Sequence, residues 1–126
     1  MDKKVISTSA APEAIGPYSQ AIAAGGVLYC SGQVPLDPAS GELVSGPIAD
    51  QTRRALLNLR AVVEKGGSDF KRIVKVTAYL ADMGDFPEFN GVYGEFFDDN
   101  PPARATVGIA ALPKGAGVEV DCIALI

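Results

Sequence analysis

The hydrophobic and polar positions at the start of the chain predict three short strands. The first lies in the run KKVIS, ahead of a proline at position 12. The second and third, residues 19–24 and 27–33, flank the pair Gly25-Gly26, which favours a tight turn between antiparallel strands. We therefore expect a β-hairpin early in the chain, followed by a second turn at DPASGE.

A helix is predicted where apolar residues begin to recur every three or four positions. The pattern starts at Ile48 and continues to about Lys65. Pro47 suits the start of a helix, and the glycine pair at positions 66 and 67 suits its end. The residues on its apolar face are Leu56, Leu59, Val62 and Val63.

The run RIVKVTAYLAD alternates between two faces and predicts a further strand. Strict alternation sends Val74, Val76, Ala78 and Leu80 to one face, and Ile73, Lys75, Thr77 and Tyr79 to the other.

A second helix has a clear start signal. Asp85 can cap its first turn, Pro87 suits that turn, and Glu88 stands three residues after Asp85, as in a capping box. The segment DDNPPA ends the helix. Its apolar stripe consists of Phe89, Val92, Tyr93, Phe96 and Phe97.

Two more strands are predicted at about Arg104 to Ala110 and at Val118 to Leu125, joined by the hairpin-length segment LPKGAG. The order of elements predicts a single α+β domain over residues 1–126, with one mostly antiparallel sheet and two helices on one face. Several strands, such as IVKVTAYL and DCIALI, are apolar on both faces. Because the helices would cover only one face, we expect the other face to pack against further copies in a homo-oligomer.

Composition and charge fit a folded domain and narrow its partners. The 126 residues are 48% hydrophobic and carry a net charge of −4. Nucleic-acid binding relies on clustered Lys and Arg, and the sequence has no such cluster, so we expect no nucleic-acid partner. No apolar stretch approaches the ~20 residues of a membrane span, and no signal-peptide pattern is present. We therefore expect no membrane partner either.

The residue types that are present restrict the possible chemistry. Cys30 and Cys122 lie in apolar strand runs, which predicts two buried thiols that are not bonded to each other and a cytoplasmic location. The chain has no histidine, which excludes Ser-His-Asp triads, Cys-His pairs and histidine-metal sites. We find no phosphate-binding loop or metal-ligand cluster, so we expect neither a metal nor a cofactor.

Two charged residues near the starts of the last two strands are the main candidates for chemistry. Arg104 follows a stiff Pro-Pro-Ala segment, and its planar guanidinium can bind a carboxylate or form an ordinary surface ion pair. Glu119 stands between Val118 and Val120, so alternation sends it to the same face as Asp121. It is either a solvated strand residue or a carboxylate with a raised pKa that moves protons. The residues alone leave both alternatives open.

Four further polar positions are candidates for a binding pocket. Tyr18 follows a proline in IGPYSQA, and Ser31 and Gly32 lie inside a strand, where glycine favours a bulge or a close approach to a ligand. Asn90 lies beside the apolar stripe of the second helix. A core tyrosine, a turn serine and a helix-surface asparagine are the alternative interpretations.

Taken in order along the chain, these segments resemble the Rid (RidA/YjgF) family of small enamine/imine deaminases. The resemblance runs from about Ile15 to Ile123 and rests on IGPYSQA, SGQVPLDPASG, QTRRALLNLRAVVEKGG, VKVTAYLADMGDFPEFNGVYGEFF, PPARATV and LPKGAGVEVD. It implies a chorismate-mutase-like (RidA-like) protomer and a homotrimer whose sheets form a central barrel-like core. It also implies three equivalent sites between subunits.

The resemblance also assigns roles by position. Arg104 resembles the family arginine that holds the substrate carboxylate, and Glu119 resembles the glutamate that orients the attacking water. Thr106 matches a pocket position where many members have a cysteine, so a backbone amide would remain there without a thiol. The other matched pocket positions are Tyr18, Ser31, Gly32 and Asn90.

The implied activity is hydrolysis of 2-aminoacrylate-type enamines and 2-imino acids to 2-oxo acids and ammonia, with no metal or cofactor. Such a hydrolase would detoxify reactive intermediates that pyridoxal-phosphate enzymes release in amino-acid metabolism. Three alternatives are a regulatory module that binds small carboxylates without turnover, an endoribonuclease or translation inhibitor, and a chaperone-like protein. The acidic charge of the chain argues against the ribonuclease.

Overall fold

The computed structural model describes residues 2–126, which form one sheet with two α-helices packed on it. The strands are β1 (Lys4–Ile6), β2 (Ala21–Ala24), β3 (Val27–Gln33), β4 (Ile73–Leu80), β5 (Ala103–Gly108) and β6 (Val118–Leu125). The helices are α1 (Ile48–Lys65) and α2 (Phe86–Gly94), and single 3₁₀ turns lie at Phe70–Arg72, Met83–Asp85 and Pro113–Gly115. None of the helices in the described chain is long and apolar enough to cross a bilayer.

The strand order in the sheet is β1-β2-β3-β6-β4-β5. Among residues 2–126, β4 and β5 are parallel and the other neighbouring strands are antiparallel. The predicted α+β fold with a mostly antiparallel sheet is therefore confirmed. The predicted hairpin between the last two strands is wrong, because β4 lies between β5 and β6. Helix α2 instead forms the crossover that two parallel strands require.

Both helices lie on one face of the sheet, and the core lies between them and the strands. Helix α1 packs on α2, β6 and β3. The predicted bounds of α1 are confirmed, and its apolar face is fully buried. Its start at Pro47 and its end at Gly66 also match the sequence signals. Alternate residues of β6 point into the same core, and these are Val118, Val120, Cys122 and Ala124.

Two local predictions about β4 and α2 are wrong. A register irregularity between Ile73 and Lys75 buries Ile73 and exposes Val74, so strict alternation fails at the start of β4. Within the described residues, the Asp85 side chain makes no capping bond; a 3₁₀ turn precedes α2, and Asp82 caps that turn. Glu88 instead accepts a hydrogen bond of 2.8 Å from the backbone N–H of Ala49, which ties α2 to the first turn of α1.

The second face of the sheet is uncovered in the single chain. It combines exposed apolar side chains, including Val5, Tyr29 and Val107, with half-buried polar ones such as Tyr79 and Asp121. That mixture is consistent with the expected homo-oligomer, which stays a prediction.

The two cysteines are buried neighbours on β3 and β6, where Cys30 is paired with Cys122 in the register. Both are free thiols in the described chain, as predicted. A hydrogen bond with Cys30 and burial raise the pKa of the Cys122 thiol. A buried thiol with a raised pKa is a poor nucleophile, so these cysteines contribute to packing in the hydrophobic core.

Candidate active site

A cleft of about 750 Å³ lies beside the start of β6 and contains four of the predicted site residues. The side chain of Glu119 enters it from β6, and Ser31 and Gly32 enter from β3. Tyr18, about half exposed, comes from the loop before β2. Much of the remaining wall is apolar, formed by Ile15, Val34, Leu36, Pro38 and Pro113. The structure therefore brings these four predicted residues together.

Gly32 gives Glu119 its place in the cleft. The register between β3 and β6 shifts between Cys30 and Gln33, so Gly32 lies in the β-bulge that its sequence position predicted. A Cβ atom on Gly32 would overlap the Glu119 carboxylate and would lie 2.8 Å from its Cδ atom. The absence of a side chain at this position therefore leaves room for the carboxylate. The Ser31 hydroxyl donates to the Ser19 carbonyl and fixes the loop that leads from Tyr18 to β2.

The surroundings of Glu119 favour its protonated form. Burial, and then the nearby charge of Asp121, raise the pKa of the Glu119 carboxyl above its ordinary value. A carboxylate with a raised pKa is a stronger base when ionised, so it is better suited to accept a proton and later return it. The electrostatics of the cleft thus suit acid/base chemistry at Glu119.

Arg104 is held in a fixed orientation at the edge strand β5. Its Nη1 atom donates a hydrogen bond of 2.8 Å to the side-chain oxygen of Asn90 on α2. The guanidinium carbon lies 4.6 Å from the centre of the Tyr93 ring and 5.6 Å from that of Phe86. Cation–π contacts and a hydrogen bond therefore orient a half-buried guanidinium whose other N–H groups can bind an anion.

A second cleft of about 440 Å³ adjoins Arg104 and is lined by Asn90, Tyr93 and Pro101-Pro102, among others. Tyr93 was interpreted from the sequence as a core residue of the apolar stripe, and it is buried. Its hydroxyl, however, has no hydrogen-bond partner among residues 2–126, and burial raises its pKa to about 12. The sequence signal that could have identified this residue is a tyrosine, in place of a phenylalanine, at position 93 of the apolar stripe of α2, next to Arg104.

Thr106 lies two residues beyond Arg104 on β5 and therefore on the same face of the sheet. Its hydroxyl is buried without a partner in the described chain. It does not line the cleft that holds Glu119 in residues 2–126. The structure thus groups Thr106 with Arg104 and Asn90.

Arg104 and Glu119 lie on opposite faces of the sheet. In the register, Arg104 is opposite Val76, which is fully buried beneath the helices, and Glu119 is opposite Tyr79, which faces away from them. The two clefts share no lining residue within the described chain. One protomer therefore presents two separate half-sites: Arg104 with Asn90 and Thr106, and Glu119 with Tyr18, Ser31 and Gly32.

The donor set offers little to a metal ion. No group of three or more His, Cys, Asp or Glu side chains in residues 2–126 is arranged to hold one. The groups available for chemistry in the two clefts are carboxylates, a guanidinium, an ammonium, hydroxyls, an amide and backbone N–H groups.

Comparisons with known proteins agree with the resemblance seen in the sequence. A family model described as Endoribonuclease L-PSP matches residues 8–126. A Mus musculus protein named 2-iminobutanoate/2-iminopropanoate deaminase is 49% identical over 123 residues, which cover 98% of this chain and 91% of that protein.

Solved structures give the same result. YyfA from Yersinia pestis, described as a protein of unknown function of the conserved Rid family, matches with a TM-score of 0.97 at 45% identity, covering 99% of this chain and 100% of that one. TdcF from E. coli, solved with bound serine, matches with a TM-score of 0.93 at 39% identity, covering 98% of each chain. On the identity and coverage of these relatives, the chain belongs to the Rid family, and it matches the Endoribonuclease L-PSP model over nearly its whole length.

Proposed function

We propose that this protein hydrolyses 2-aminoacrylate-type enamines and their 2-imino acid tautomers to 2-oxo acids and ammonia. The observation that carries the proposal is the pair of complementary half-sites: an oriented guanidinium at Arg104 and a carboxylate of raised pKa at Glu119. The name of the mouse relative supports the reaction, and the serine bound to TdcF supports a small ligand that carries a carboxylate.

The active site is proposed to form between two subunits of a homotrimer. Arg104 and Glu119 lie on opposite faces of one sheet, so a small substrate cannot contact both residues of the same chain. Packing of protomers through the uncovered face of the sheet would bring Glu119 of one subunit near Arg104 of its neighbour. The exposed apolar residues on that face support such packing.

In the proposed reaction, Arg104 binds the substrate carboxylate through two parallel N–H donors. This contact places the carbon of the protonated imine near Glu119, which removes a proton from water as the new C–O bond forms. The electron pair of the C=N π bond moves to the nitrogen, so the resulting carbinolamine carries a hydroxyl and an amino group on one carbon. Glu119 then returns its proton to the amino nitrogen. The C–N bond breaks as the hydroxyl loses its proton to solvent, which releases ammonia and leaves the 2-oxo acid.

The remaining predicted residues are proposed to shape the pocket around this reaction. Tyr18, Ser31 and Gly32 line the cleft beside Glu119, while Asn90 and Thr106 stand beside Arg104. Free imines hydrolyse without help, so positioning and proton transfer suffice for the rate that detoxification requires. We also propose a cytoplasmic location, supported by two free buried thiols.

A coupled assay tests the proposal. A serine or threonine dehydratase generates the imine, and release of 2-oxo acid is followed with and without this protein. We expect faster release with the protein, while buffer and an unrelated protein give the dehydratase rate alone. If the release rate equals that of the dehydratase alone, at both substoichiometric and excess concentrations of this protein, the proposal is contradicted. That result would favour the alternative of a module that binds carboxylates without turnover.

The description of the matching family model motivates a second candidate, an endoribonuclease. The net charge of −4 disfavours it, because binding of RNA phosphates relies on clustered positive charge. Incubation with single-stranded RNA at low salt, where such binding is strongest, tests this candidate directly. Cleavage that persists in an Arg104→Ala variant would assign a ribonuclease activity that does not depend on Arg104.

A further inference from the structure

A hydrogen-bonded pair lies next to Glu119 on the uncovered face of the sheet. The Tyr79 hydroxyl donates a hydrogen bond of 2.8 Å to Oδ2 of Asp121. Asp121 follows Glu119 by two positions on β6, so both carboxylates lie on the same face, about 7 Å apart along the strand. Tyr79 is directly opposite Glu119 in the register, so its hydroxyl reaches diagonally to Asp121. All three side chains are half-buried.

We propose that Asp121, held by Tyr79, is a positioning residue that sets the proton affinity of Glu119. This inference rests on the proposed function, in which Glu119 is the base. Asp121 and Glu119 lie on one half-buried face, and the negative charge of Asp121 makes Glu119 harder to ionise. The Tyr79 hydroxyl donates to Asp121 and so holds that carboxylate beside Glu119. In the proposed reaction, Glu119 is the carboxylate that gains and loses the proton.

The groups around Asp121 and Glu119 support these separate roles for the two carboxylates. The hydrogen bond to Asp121 raises the pKa of Tyr79, so this phenol stays protonated and remains a donor. The negative charge of Asp121 adds to burial in raising the pKa of Glu119. Lys114 also lines the cleft, but its ammonium donates to the Gly41 carbonyl at 3.0 Å on the rim. Within one chain, the titratable groups that face Glu119 are Asp121 from β6, Tyr79 from β4, and Glu13, Tyr18 and Lys114 from the surrounding loops. In the proposed trimer, Arg104 of the neighbouring subunit also faces Glu119; both Asp121→Asn and the parent retain it, so it does not alter the comparison.

The consequence for catalysis is a trade between base strength and pH range. The carboxylate form of Glu119 removes the proton from water, so activity falls as the pH drops through its raised pKa. Removing the charge of Asp121 lowers that pKa, which extends activity to more acidic pH. It also weakens the base, so the plateau rate falls. A Tyr79–Asp121 bond with only a structural role would affect stability and leave the acidic limb of the pH profile of kcat/KM unchanged.

The test compares Asp121→Asn with Glu64→Gln, which removes the same charge from the exposed surface of α1. Asparagine keeps the shape of the side chain and still accepts from Tyr79. The acidic limb of kcat/KM in Asp121→Asn is expected to move down by about half to one pH unit, as for charges ~7 Å apart in a solvent-rich environment. Glu64→Gln should leave the limb unchanged. A limb in Asp121→Asn that coincides with the parent would overturn the inference.

A second variant keeps the test decisive if Asp121→Asn does not fold. Tyr79→Phe leaves the charge of Asp121 but removes its donor, so the unscreened charge should move the limb to higher pH. Opposite shifts in the two variants are the expected signature. A downward shift or no shift in Tyr79→Phe would overturn the inference.

A titration of the Glu119 carboxyl carbon by NMR separates this inference from the proposed function. The measurement needs no turnover, so the coupling between Glu119 and Asp121 is tested even if the coupled assay finds no activity. Activity in the native protein together with an unchanged Glu119 titration in Asp121→Asn would reject the inference alone. A shifted titration without native activity would reject the proposed function alone.

Discussion

Arg104 is a single charged residue on an edge strand whose neighbours hold it in place. Asn90 and the rings of α2 orient its guanidinium, which would lower the entropy lost if an anion binds there. An exposed arginine without these contacts would make only a weak ion pair. The neighbours of the residue, rather than its type, therefore favour the proposed carboxylate-binding role over that of an ordinary surface residue.

Replacing Arg104 separates binding from proton transfer. We expect Arg104→Ala to abolish imine hydrolysis and binding of 2-oxo acids while the protein stays folded. Arg104→Lys should also lose most activity, because an ammonium cannot form two parallel hydrogen bonds with a carboxylate. Calorimetry of 2-oxo acid binding, with circular dichroism as the folding control, checks both variants. Parent-like binding by Arg104→Ala would make Arg104 a structural residue.

Gly32 offers a test of how closely Glu119 must be placed. A Cβ atom at position 32 would push the Glu119 carboxylate aside, so Gly32→Ala should lower kcat more than it changes KM. We expect a loss of about 10²-fold, the range reported for misplaced or missing acid/base groups. Gly91→Ala is the matched control, because a Cβ atom there meets open space on α2. Equal kcat values for the two variants would show that the carboxylate tolerates displacement.

At the scale of elements, helix α1 does more than cover the sheet. Asn58 is fully buried on its apolar face. Its Nδ2 atom donates to the carbonyls of Val34 and Leu36, at 3.2 and 2.9 Å, and its Oδ1 atom accepts from Arg54. The helix therefore fixes the segment that forms one wall of the Glu119 cleft. A polar residue between Leu56 and Leu59 was the sequence signal for this link.

Breaking that link should cost stability. Asn58→Leu keeps the side-chain volume but removes the only side-chain donor to the partly buried Leu36 carbonyl and one of two donors to the Val34 carbonyl. We therefore expect a loss of about 1–3 kcal/mol in the free energy of unfolding. Urea unfolding at a fixed protein concentration measures it, because oligomers gain stability with concentration. Asn100→Leu, at an exposed loop position, serves as the control and should stay near the parent. An Asn58→Leu midpoint equal to that of the control would refute the role of the link.

At the scale of the whole molecule, the two half-sites make a prediction about assembly. If each active site combines Arg104 of one subunit with Glu119 of the next, two inactive variants should restore activity when they form mixed trimers. We expect Arg104→Ala and Glu119→Gln, each inactive alone, to regain about a quarter of native activity after unfolding and refolding as an equal mixture. Every mixed trimer contains one intact site, and about three quarters of randomly assembled trimers are mixed.

Light scattering coupled to size exclusion supplies the control, since both variants and the mixture should have the mass of a trimer. When the two folded variants are mixed without unfolding, and their trimers do not exchange subunits, no activity should be restored. A monomer mass at micromolar concentration, or a refolded trimer mixture without activity, would rule out shared sites.

The sequence by itself determined the elements whose pattern is set by near neighbours. Helical spacing and end signals gave α1 from Ile48 to Lys65, and runs of strand-forming residues next to turn segments gave β3 and β6 at their observed bounds. It also predicted the bulge at Gly32 and the free thiols, since glycine in a strand and cysteine in an apolar run have local physical meanings. The ordered motifs carried the family resemblance and the candidate residues.

Only the tertiary structure decided which strands are neighbours and which face each candidate occupies. Strand β5 pairs with β4 rather than β6, and the register irregularity in β4 reverses the burial of Ile73 and Val74. The links from Glu88 to Ala49 and from Asn58 to Val34 also join residues far apart in sequence. Strand pairing and such links depend on contacts that close only when distant segments meet, and a pattern of adjacent residues contains no information about those contacts. The separation of Arg104 from Glu119 by the thickness of the sheet is a product of that pairing.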